Sequence, residues 1–111
     1  MTRYLDFSLR NDYLDNAMEN YLINGFEPGG FLTSVLANDL RLAVGRADYW
    51  NKNNLATIVE HIIFNVPSGA RGSYDAVRDW CADKDNRRSK YVKGKEQEMV
   101  MKILEGRHVN C

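Results

Sequence analysis

The chain has 111 residues, of which 44% are hydrophobic, 27% charged and 11% aromatic, a balance that excludes disordered and fibrous classes and allows one domain around one small core. Fifteen Lys and Arg face fifteen Asp and Glu, so no net field draws the whole molecule to a polyanion. The charge is segregated instead: residues 1–82 carry seven basic and ten acidic side chains, residues 83–111 eight and five.

The opening MTRYLDFSLR lacks the charged-then-apolar order of a secretory signal, and no run approaches the roughly 18 apolar residues that span a bilayer. Cys81 and Cys111 make no disulfide framework. Together these features predict a protein of a reducing cytoplasm with no membrane partner. Leu14, Ala17, Met18, Tyr21 and Leu22 recur at helical spacing and predict a first helix over 12–24 that Gly25 ends. After Pro28-Gly29-Gly30, the apolar positions Phe31, Leu32, Val35, Leu36, Leu40, Ala43, Val44 and Ala47 predict a second, long helix. Asp48 to Asn54 is polar and offers N-cap residues, and Leu55, Ile58, Val59, Ile62 and Ile63 then form the stripe of a third helix that Pro67 stops. Ser73 is placed to cap a fourth, with Val77, Trp80 and Cys81 facing inward. The expected fold is all-α: a compact bundle of about four helices over 1–82. Residues 83–95 have too few apolar positions to order themselves and read as a basic arm, leading to a short amphipathic helix from Glu96 to Glu105 with Gly106 as its stop.

The residues that could carry chemistry are sparse. His61 and His108 are the two histidines, and no HExxH or CxxC accompanies them, so neither a metal, a cofactor nor a catalytic site is expected. Cys81 lacks a neighbour that would activate a thiolate and reads as a core cysteine. Gly29, Gly30 and Phe31 are more informative, because two glycines at a helix start leave backbone N–H groups uncovered where the helix dipole favours an anion. The same residues are also what a tight turn needs. Asn38 and Arg46 fall broadly on one side of the predicted helix, where an amide and a guanidinium suit a phosphate, or where Arg46 joins a surface network with Asp39 and Arg41. Tyr49 and Trp50, in a polar segment, are placed to stack on a base or a partner. Gly29, Gly30, Phe31, Asn38, Arg46, Tyr49 and Trp50 therefore form the candidate ligand set. Arg87, Arg88, Lys90, Tyr91 and Lys93, basic charge with an interleaved aromatic, form a second set for a partner protein or a weak nucleic-acid contact.

The string Gly25-Phe26-Glu27-Pro28-Gly29-Gly30-Phe31-Leu32-Thr33-Ser34-Val35-Leu36-Ala37-Asn38-Asp39-Leu40, followed by Gly45-Arg46-Ala47-Asp48, resembles a widespread group of small tailed-bacteriophage proteins. The likeness covers about residues 20–82, through Pro67-Ser68 and Gly72-Ser73 to Trp80; the longer N-terminus and the basic tail depart from the pattern. What it implies is a setting, that of a phage accessory protein in a host bacterial cytoplasm. Within that setting the first expectation is counter-defence by sequestration of a nucleotide immune signal by a homo-oligomer, without catalysis. The alternative is a protein-directed inhibitor of a host defence or nucleic-acid enzyme, which predicts an exposed apolar or charged patch instead of a phosphate pocket.

Overall fold

The computed structural model describes residues 11–109. The opening decapeptide and Cys111 lie outside them. Seven α-helices succeed one another: α1 (Asp12–Asn24), α2 (Gly30–Leu36), α3 (Leu40–Arg46), α4 (Tyr49–Asn53), α5 (Leu55–Asn65), α6 (Tyr74–Cys81) and α7 (Arg87–Val109), with 3-10 turns at Ser68–Ala70 and Lys84–Asn86. No strand occurs among the described residues, and none of their helices is long and apolar enough to cross a membrane. Among the described residues the fold is all-α, but six helices precede the C-terminal one where about four were expected.

Capping residues account for most of the extra boundaries. Asn11 accepts the Leu14 N–H at 3.2 Å to open α1, and Gly25, at φ 73°, closes it. The long helix expected from Phe31 to Ala47 is two helices because Asn38 takes φ 62°, a left-handed conformation that Asn tolerates better than most residues. Asp39 then accepts the Leu42 N–H at 3.2 Å and starts α3, which folds back on α2. Asp48 accepts the Asn51 N–H at 2.8 Å, so the polar segment carrying Tyr49 and Trp50 is a short helix. Ser73 caps α6 as expected, accepting the Ala76 N–H at 3.0 Å.

The core gathers Leu14, Met18, Tyr21 and Leu22 of α1, Leu32 and Leu36 of α2, Ile58 and Ile62 of α5, and Val77 and Trp80 of α6. Two buried polar atoms are satisfied across it. The Tyr21 hydroxyl donates to the Ala70 carbonyl at 2.7 Å, and the Trp80 indole N–H donates to the Tyr21 carbonyl at 3.2 Å.

The tail is the second correction. Residues 87–95, expected as a loose arm, begin one continuous helix of 23 residues that also runs through Gly106. Lys and Arg are good helix formers, and two anchors fix the first turns: Arg88 on backbone carbonyls and Tyr91 against Trp80. The Asp83 carboxylate accepts both the Ser89 N–H and the Ser89 hydroxyl at the preceding turn. The molecule measures 53 × 32 × 21 Å with a radius of gyration of 15.2 Å. A sphere-like domain of this length would have about 13 Å.

Candidate functional site

The fold brings Gly30 and Arg46 together, which the single helix expected from Phe31 to Ala47 would have held apart, and it leaves the Arg46 side chain exposed with one nitrogen engaged. Arg46, in the last turn of α3, donates through Nη1 to the Gly30 carbonyl at 3.1 Å and to the Ser34 hydroxyl at 3.0 Å. Ser34, fully buried, donates to that same carbonyl at 2.8 Å. These two hydrogen bonds from one guanidinium nitrogen hold α3 on α2. Beside it, the exposed Tyr74 of α6 donates to the Asp39 carboxylate at 2.6 Å. That hydrogen bond, then the Leu42 N–H and the nearby Arg46 and Arg41, lowers the Asp39 pKa, and the same Asp39 contact raises that of Tyr74. The remaining candidate ligands are dispersed. Phe31 packs against the core, Asn38 forms the α2–α3 turn, Gly29, at φ 90°, opens α2 without a side-chain cap, and Tyr49 is 86% exposed on α4 with Trp50 beside it in sequence.

The basic set divides in the same way. Arg88 donates from Nε to the Trp80 carbonyl at 3.2 Å, from Nη1 to Ile23 at 3.3 Å and from Nη2 to Cys81 at 3.5 Å. One cation thus covers carbonyls at the C-terminal ends of α1 and α6, where helix dipoles favour positive charge. A Cβ at Gly25 would lie 2.7 Å from Arg88 Nε and displace the guanidinium, and the positive φ of 73° there favours glycine. Tyr91 stands edge-on to Trp80 with ring centroids 5.6 Å apart, and Lys95 sits 5.7 Å from its ring centre. Its hydroxyl is buried without a hydrogen-bond partner, and burial, then Glu98, pushes its pKa up to about 12. Arg87 lies 4.0 Å from Asp85. Lys90 and Lys93 are the members of the set that are exposed.

A surface that the sequence reading did not single out lies on α5. Ile58 and Ile62 turn into the core, whereas Leu55, Ala56, Val59, Ile63 and Phe64 line, with Leu40 of α3, an open groove of about 630 Å³. Leu40 is 65% exposed, Ile63 52% and Phe64 78%. The one charged residue in the lining is Glu60. A smaller hollow of about 230 Å³ extends the groove past Leu40 to Val35 and Ala43. The signal was present in the sequence: Leu55, Ala56, Ile58, Val59, Ile62, Ile63 and Phe64 are too many apolar positions for one stripe on so short a helix.

Among the described residues no three His, Cys, Asp or Glu side chains converge as metal ligands. Cys81 is half-buried, and burial raises its thiol pKa, the opposite of activation. Comparison with protein-family models, with curated proteins and with solved structures returns no match.

Proposed function

We propose that this chain works by binding another protein, with the groove between α3 and α5 as the docking surface. The observation that carries the reading is the outward face of α5: a helix apolar on two sides buries one in its own core, and the other needs a partner to leave water. At about 25 cal/mol per Å² of apolar surface removed from water, such a groove rewards an amphipathic helix with apolar side chains at i, i+3 or i+4, and i+7. In the bacteriophage setting that the motif resemblance implies, the partner is a host defence or nucleic-acid enzyme, and the chain inhibits it by occupying its surface.

Sequestration of a nucleotide signal has less support, because it asks for converging groups, whereas Arg46 Nη1 is engaged by Gly30 and Ser34, Asn38 forms the α2–α3 turn and Tyr49 and Trp50 lie on α4. Two measurements separate the readings. A host protein co-purified with the chain, then titrated against it by calorimetry, is expected to bind the native chain and to lose at least tenfold in affinity with Phe64→Asp; equal affinities contradict the proposal. Thermal melts against a panel of cyclic and linear dinucleotides are expected to be flat. A shift of several degrees that disappears in Arg46→Ala restores the sequestration reading.

A further inference from the structure

We infer that the junction between α6 and α7 is a two-state hinge: the bent state, with α7 packed against α1 and α6, exchanges with a straight one in which residues 82–87 turn helical and join α6 to α7. The groove between α3 and α5 plays no part in it. Three of the four residues from Asp83 to Asn86 stand at positive φ, Asp83 and Asp85 at 55° and Asn86 at 58°. Asp and Asn visit that region as single residues, as Asn38 does, but three of them within one turn are strain that the surroundings must hold in place. No residue of the Lys84–Asn86 turn is buried, so packing does not hold it. What closes the bend lies beyond it: the Asp83 carboxylate on Ser89, the Arg88 guanidinium on the carbonyls of Ile23, Trp80 and Cys81, and Tyr91 edge-on to Trp80.

That clasp carries a penalty of its own. The Tyr91 hydroxyl is buried without a hydrogen-bond partner and regains water when α7 leaves Trp80. Straightening also returns the three left-handed residues to ordinary helix, and it places Asp83 four residues before Arg87, the favourable order for an ion pair along a helix. Against these gains stand the hydrogen bonds of Arg88 and those between Asp83 and Ser89. The residue types suit both states, since Asp and Asn accept left-handed backbone and, unlike proline, also fit inside a helix. The hinge controls access. In the bent state Arg88 and Tyr91 are engaged by the body, and in the straight state they are released to join the exposed Lys90 and Lys93, so a partner of the whole basic and aromatic set meets it only after the hinge straightens.

The test is a distance measurement by double electron–electron resonance on the full chain carrying Cys81→Ser and Cys111→Ser, with spin labels on Asn16→Cys in α1 and Gln97→Cys in α7, both exposed positions. Two distances are expected, the shorter from the bent state. Tyr91→Phe removes the unpartnered hydroxyl and should raise the shorter population about fivefold relative to the longer. The pair Asp85→Ala and Asn86→Ala resists positive φ and favours helix, so it should raise the longer population at least about tenfold without loss of helical circular dichroism. If the double-alanine chain does not fold, Arg88→Ala, which opens the clasp, takes its place with the same expectation. A single distance that is the same in the native chain and in every folded variant overturns the inference. A longer distance that appears only with loss of helix also overturns it, because α7 is then fraying and the hinge is not straightening.

Discussion

Arg88 is the residue on which the junction of α1, α6 and α7 depends. Replacing it with Ala strips three backbone carbonyls of a charged donor and should cost about 2–3 kcal/mol in urea unfolding. Lys, with one compact ammonium, should recover less than half of that loss. Gly25→Ala should cost at least about 1–2 kcal/mol, since it forces a side chain into positive φ and displaces the same guanidinium. Among the side chains with shifted pKa values, Asp39 and Tyr91 contribute pH dependence at opposite ends of the scale. Asp39 has a lowered pKa when folded, so its contribution is present above the ordinary carboxylate value and is lost as pH falls through the folded one; Asp39→Asn should flatten the acid side of the stability curve. Tyr91 has a raised pKa, so its contribution is complete below about 10 and is lost as pH rises towards about 12. Tyrosinate absorbance should resolve that late ionisation, and Tyr91→Phe should remove it. The role of Arg88 was not legible beforehand: a basic residue in a polar run reads as exposed, and only the tertiary fold reveals which carbonyls it covers.

Among the elements, α1, α6 and the core face of α5 follow from periodicity and caps, because Gly25, Ser73 and the apolar spacing all point the same way. The division into α2 and α3 was harder to read. The apolar pattern from Phe31 to Ala47 is continuous with one helix, and Asn38-Asp39 breaks it only because Asn38 accepts φ > 0 while Asp39 caps α3. Asn38→Gly should therefore be nearly neutral in thermal melts, whereas Asn38→Ala should lose about 1 kcal/mol. α7 illustrates the opposite case: a polar composition suggested a loose arm, but two anchored side chains at its start are enough to fix a helix made of good helix formers. On α5 the sequence reading treated Leu55, Ile58, Val59, Ile62 and Ile63 as a single buried stripe, and the fold distributes them over two faces. Phe64→Asp should change folding stability by less than about 0.5 kcal/mol, as expected of an exposed position, while removing partner binding.

Over the whole molecule, the candidate site moved. The Gly-Gly helix start and Arg46, read from the sequence as lying on one long helix, meet only because that helix breaks at Asn38, and Arg46 Nη1 there fastens α3 to α2. The large unsatisfied surface is apolar and lies on α3 and α5, and an elongated body with a projecting basic helix adds a second. The most direct test is photo-crosslinking in the bacterial host, with a benzophenone amino acid placed at Phe64 in the groove or at Tyr13 on α1, both of them highly exposed. A discrete protein adduct from position 64, absent from position 13, is the predicted result, whether the captured partner is a host protein or a second copy. No adduct at 64, or the same adducts at both positions, would contradict the assignment of the groove as the working surface.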